Sequence, residues 1–223
     1  MHTLRIGATL ALLSIPILVT SALFHGGHDP DNLQAVLPEY AANRNWKAVH
    51  LGQFVGFLMM IGSIVVLLDY IRLKSGTVFA LLGLITASVA ASSYAANHAV
   101  DGVAIKYVAD MYVSALPADK AIAFRFAETI RYIEQGLSSL VALNLGFTLL
   151  LCGGAVILTD IFTKLLGWTA LVIGCCYIVS GLFLNYLGFS QHIFSFWIGN
   201  LLLIWLLFMA ASLWGESNQV AKQ

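Results

Sequence analysis

The sequence predicts an all-α fold, a polytopic transmembrane bundle of six spans with an extended third helix and a long fourth helix. Three observations carry that expectation. Hydrophobic residues make up 60% of the 223 and charged residues 10%, against about 45–50% and about 25% in an ordinary soluble domain. Uncharged runs recur at the length a bilayer requires, about 20 residues at a rise of 1.5 Å for about 30 Å of hydrocarbon. Eleven basic and eleven acidic residues cancel, so no net field draws in nucleic acid or an anionic surface. The composition excludes a disordered chain, a nucleic-acid binder and an ordinary soluble enzyme. The three cysteines, Cys152, Cys175 and Cys176, all sit in apolar runs and do not make a disulfide framework.

The first span is expected at 6–24. Arg5 precedes it as a signal peptide's basic residue would, but the apolar stretch Ile6–Phe24 exceeds the usual 7–15 residues of a signal core and no clean small-x-small site follows. It is therefore read as a retained helix. A short interfacial helix closed by Pro38 is expected over Asp31–Glu39. The second span, 48–71, starts after Lys47 and runs up to Asp69. The third is 77–98, after the basic turn Arg72–Gly76. Near-helical spacing of Ile105, Val108, Met111 and Tyr112 extends it to about Ser114. Pro117 then opens a new helix, since proline is tolerated in a first turn. That helix enters the membrane as the fourth span, 132–158. The uncharged run Leu165–Gly215 is twice the needed length and breaks at Asn185–His192, giving spans at 165–184 and 192–214. All 223 residues are read as one integral membrane domain. Ala87, Ala91, Ala95 and Ala99 step by four along the third span, and Gly52 and Gly56 along the second. Small residues permit close helix approach, so spans two and three are expected to be central.

Tight loops carry Arg72, Lys74 and Lys164, with Arg5 and Lys222 at the termini on the same side. The positive-inside rule puts these, and both termini, on the cytoplasmic side of the membrane. The other side holds most of the polarity. Of 22 charged residues, 14 lie in 25–50 and 98–134, with five of the six histidines on that face.

The candidate site residues come from this face. His50 and Gln53 lie one turn apart on one side of a helix, beside an anchoring Trp46. His98 and Asp101 are three apart, a spacing at which a carboxylate can orient an imidazole or share a metal with it. Helix-end capping and an Asp101–Lys106 ion pair are the plainer reading. Arg125, Glu128, Arg131 and Glu134 repeat every three residues with no net charge. Such a stripe is either an exposed ladder or a set of costly charges facing the bundle interior. The first reading suits Arg125 and Glu128. Arg131 and Glu134 abut an uncharged run and suit the second. Asp101, Glu128, Arg131 and Glu134 are the catalytic candidates; His50, Gln53 and His98 the cofactor-binding ones; His50, His98 and Asp101 the metal ligands. A divalent metal suits two imidazoles and a carboxylate. A haem would use His50 and His98 as axial ligands on facing helices. His25-Gly-Gly-His28 is a further His/Asp-rich stretch, more simply a solvated glycine-rich turn.

His50-x-x-Gln53, Val100-Asp101-Gly102-Val-Ala-x-Lys106, Pro117-Ala-Asp-Lys-Ala and Glu128-x-x-Arg131-x-x-Glu134-x-Gly136-x-x-Ser139 together resemble a family of uncharacterised bacterial multi-pass membrane proteins. The resemblance covers about residues 45–190 and implies a helical inner-membrane bundle. It supplies no reaction, substrate or cofactor. His25-Gly-Gly-His28 is not one of its motifs.

Three functions stay open on the sequence. One is a membrane-embedded metal- or haem-dependent protein. The second is a non-catalytic subunit or sensor whose amphipathic 101–134 stretch docks a protein partner or a second copy. The third is a small proton-coupled transporter using the Glu128–Glu134 stripe. No H-E-x-x-H and no complete G-x-S-x-G motif occurs. The lipid bilayer is the one partner the composition requires; any small-molecule substrate is unspecified.

Overall fold

A computed structural model describes residues 2–25, 32–187 and 192–222. The described residues form helices and no strand. They are α1 (His2–His25), α2 (Leu33–Ala42), α3 (Trp46–Ser75), α4 (Val78–Ala99), a π-helical segment (Val100–Ile105), α5 (Lys106–Ser114), α6 (Lys120–Ile157), α7 (Lys164–Asn185) and α8 (His192–Val220). Six helical segments are long and apolar enough to cross a membrane. His28, Asp29, Asp31 and Gln191 lie outside the described residues, as does the side chain of His192.

The spans form a closed ring. α1 packs on α3, α3 on α4, α4 on α6, α6 on α7, and α8 closes the circle between α7 and α1. Successive spans are joined at alternate ends, so both termini share one face, where Arg5 donates to Asn218 at 3.3 Å. Outward surfaces are apolar, with Ile85 54%, Val172 60% and Ile204 63% exposed, as lipid contact requires. The tightest seam is α6 against α7. A Cβ on Gly153 would sit 2.6 Å from the Gly167 carbonyl, and one on Gly174 would sit 2.8 Å from that of Gly146. Only glycines allow backbones this close.

The third span is not central. Its transmembrane stretch is 22% buried, against 44% for the second. Ala87 is fully buried, Ala91 half-buried, and Ala95 and Ala99 exposed. Four residues advance about 40° beyond one turn at 3.6 residues per turn, so a stripe stepping by four rotates out of a straight interface.

Outside the ring, α2, α5 and the first turns of α6 form a cap with its own core of Val36, Leu37, Tyr40, Trp46, Ile105, Val108, Tyr112 and Ala127. Asn32 caps α2 by accepting from the Ala35 N–H. Pro38 does not close α2, which runs on to Ala42. The proline forfeits one backbone bond, and burial of Leu37 and Tyr40 against the cap outweighs it. Lysines satisfy the carbonyls left open at helix ends: Lys106 donates to Ala41 at 2.6 Å, Lys120 to Tyr112 at 2.6 Å and Lys164 to Ile157 at 2.7 Å. Counting about 20 residues from the loop ends at Leu68, Val78 and Ile157 reaches Val49, Asn97 and Ser138, the common level at which hydrocarbon gives way to the cap.

Candidate metal centre

The polar groups gather at that level. His50 stands on the second turn of α3 and is 2% exposed. Its Nδ1 lies 2.8 Å from the Trp46 carbonyl. A carbonyl only accepts, so Nδ1 carries the hydrogen and Nε2 presents a lone pair in the neutral ring. Nε2 lies 3.1 Å from Asp101 Oδ2, yet it is buried without a hydrogen bond. A bare lone pair facing a carboxylate oxygen is repulsive unless a cation or a second proton stands between them.

Asp101 reaches His50 because the helix changes its winding. The chain is π-helical from Val100 to Ile105. π-bulges recur at functional sites because the added residue re-aims side chains and loosens backbone groups. The Trp46 indole Nε1 donates to the Asp101 carbonyl at 3.0 Å, holding the bulge against α3. Gly102 lets the two elements touch, since a Cβ there would lie 2.7 Å from His50 Cβ.

His25, the last residue of α1, joins them. Ligand atoms of His25, His50 and Asp101 all lie within 4.8 Å of one another. The His25 ring centroid is 4.9 Å from that of His50 and 4.9 Å from that of Trp46. The Asn43 amide donates to the His25 carbonyl at 3.1 Å and secures the end of α1.

The other sequence-nominated residues stand apart. His98 does not share Asp101; the intervening π winding separates them, and His98 Nε2 contacts Gln53 Oε1 at 3.3 Å. The His98 ring stacks on Tyr94 with centroids 4.0 Å apart and lies 5.7 Å from His50. Arg131 and Glu134 form a buried ion pair, with side chains 16% and 8% exposed. The Ser138 hydroxyl lies 2.7 Å from Glu134 Oε1 and 3.3 Å from Asn97 Oδ1. Arg125 pairs with Glu128 at 2.6 Å on the outside, the arginine 77% exposed, so Glu128 is not part of the buried groups. Asp101 pairs with His50 and not with Lys106, which bonds Asp110 at 2.6 Å.

Tyr40 roofs this region from the cap. Burial pushes its phenol up to about 12, and the charges of Arg131, Asp101 and Glu134 all act on it, the arginine downward and the acids upward.

No protein-family model, no curated protein and no solved structure matches the chain.

A haem does not fit the histidines. His50 turns Nε2, the one ring nitrogen left free to ligate, to Asp101. The cleft beside His50 and His98 holds about 240 Å³, below the roughly 300–1,000 Å³ of ordinary small-ligand pockets. A divalent metal fits better. Bonds of about 2.0–2.2 Å in a tetrahedral site space the ligands by roughly 3.3–3.6 Å. The His50–Asp101 separation is close to that already. His50 also shows the usual arrangement of a metal-bound histidine, its second nitrogen donating to a carbonyl. His25 carried a signal in the sequence, a histidine at a span end beside glycines. Nothing in the sequence indicated that α1 ends against α3 at Trp46.

Proposed function

We propose that this protein is an integral membrane metalloprotein whose centre, held by His25, His50 and Asp101, binds a divalent transition ion, zinc best of all, at the boundary between the bilayer and the cap. The observation that carries this reading is the meeting of His25, His50 and Asp101, with the buried His50 Nε2 3.1 Å from Asp101 Oδ2 and short of a well-formed hydrogen bond. A second proton makes that contact an ion pair; a metal cation between the two, with His25 alongside, makes it a set of bonds. Two imidazoles and one carboxylate leave a fourth position, and zinc with an open position lowers the pKa of bound water to about 7. The centre therefore suits hydrolysis at the membrane surface.

The polar groups support this over transport. Below Glu134, Ser138 and Asn97 the described polar contacts reach Asn144, which donates to Ser93 at 2.9 Å, and then meet the apolar layer of Leu145, Leu149 and Cys152. A docking role draws support from exposed Ile122 and Phe126 on the outer part of α6, 59% and 58% exposed. Co-purification of a stable partner would favour it. The proposal also places both termini in the cytoplasm of a bacterial inner membrane, on the strength of the basic tight loops. Labelling of a cysteine introduced at Lys222 from one side of sealed vesicles checks this.

Metal analysis of the purified protein tests the centre. About one zinc per chain is expected, lost in His50→Ala and Asp101→Asn and retained in His98→Ala. Absence of stoichiometric metal after zinc loading would sink the reading.

A further inference from the structure

The cleft that opens between α3 and α4 touches the proposed centre at His50. It holds about 240 Å³, room for about eight water-sized groups at roughly 30 Å³ each. Leu51, Phe54, Ala95 and Val103 give it apolar walls, and Lys47 stands at one end. Leu51 is 62% exposed just inside the level of Val49 and Asn97, and Val103 is 55% exposed just beyond it, so the mouth opens sideways at the boundary between hydrocarbon and headgroups. The cleft is too small to enclose a drug-sized molecule. It suits one segment of a longer molecule whose remainder stays in the bilayer. Lys47 is one turn toward the cap from Leu51, at headgroup depth. It is exposed and makes no ion pair among the described residues. An unpaired ammonium above an apolar slot matches an anion above an acyl chain.

We propose that this cleft takes the headgroup-proximal acyl segment of an anionic phospholipid from the surrounding leaflet, its phosphate at Lys47 and its ester end beside His50. The substrate class of the proposed metal centre is then a bilayer lipid. The chemistry rests on the metal reading, while occupancy of the cleft does not.

Full-length protein in nanodiscs containing phosphatidylglycerol with a diazirine near the ester end tests this. Labelling is expected to saturate and to concentrate on Leu51, Phe54 and Val103, at least fivefold above Leu23 and Leu140, exposed residues of α1 and α6 at the same depth. Ala95→Phe, at an exposed position that tolerates bulk, is expected to lower that labelling about fivefold. Lys47→Glu is expected to lower labelling by phosphatidylglycerol and to leave a phosphatidylcholine probe unchanged. Labelling in simple proportion to exposure, or unchanged in Ala95→Phe, overturns the proposal. Equal effects of Lys47→Glu on both probes overturn the anionic preference. Repeating the measurement on chelator-stripped protein separates the two readings. Site-selective labelling that persists in the stripped protein shows the cleft independent of metal; the same labelling in a preparation that takes up no stoichiometric zinc on loading refutes the metal centre alone, and bound zinc with non-selective labelling refutes the lipid cleft alone.

Discussion

Gly102→Ala is the sharpest perturbation of the centre. The added Cβ would sit 2.7 Å from His50 Cβ and 3.1 Å from its Cγ. The obstructing atom is the root of the side chain, so it cannot swing aside; the π segment and α3 must part by about 0.7 Å to restore ordinary contact. Overpacking of this kind costs about 1–3 kcal/mol. Replacing a helical glycine by alanine returns about 0.5–1 kcal/mol. The net expectation is a loss of up to about 2.5 kcal/mol, with His50 and Asp101 moved apart. Disturbing a metal's supporting shell typically lowers affinity about 10–100-fold, and a similar loss is expected here. Gly136→Ala is the matched control, because nothing lies within 4 Å of its added Cβ. It is expected to hold or slightly raise stability. Thermal unfolding in detergent and zinc competition against a chromogenic chelator read the two quantities. Equal stability and equal zinc affinity in the two variants would refute the reasoning.

Trp46→Phe removes the donor to the Asp101 carbonyl and is expected to cost about 1–3 kcal/mol and to weaken zinc binding in the same titration. Glu134→Gln leaves Arg131 buried without its counter-ion, an expected loss of about 3–5 kcal/mol. Glu128→Gln breaks only the outer pair and is expected to cost under about 1 kcal/mol; similar denaturation midpoints for these two variants would contradict the burial argument. The Tyr40 phenol is held up to about 12 by burial, against about 10 in an unfolded chain. Because the folded value is the higher one, its contribution is fully present below pH 10 and is lost as pH rises toward 12. Circular dichroism across that window is expected to show a loss of stability that Tyr40→Phe reduces.

Much of the architecture was legible because it depends on properties the chain carries locally. The uncharged runs of transmembrane length lie on helices, and a break at Pro117 separates α5 from α6, although Pro117 sits in the turn and α6 begins three residues later at Lys120. Length and hydropathy require no knowledge of partners. Phase was harder to read. The alanine stripe of the third span looked like an interface, but its drift carries Ala95 and Ala99 to the outside. Asp101 looked like a partner of His98, three residues away. The π segment and the Trp46 indole turn it to His50 instead.

The sequence by itself determined that the chain is a six-span helical membrane protein with its histidines and acids crowded toward one face, since the cost of charge in hydrocarbon leaves scarce polarity few other places. Tertiary structure decided which of those groups meet. α1 ends against α3, so His25 reaches His50; α3 and the π segment touch through Gly102, so Asp101 faces the same imidazole. A single π turn changes the direction of every side chain after it. The pairing of helices that rewards such a turn is a non-local packing term, which no window of the sequence contains.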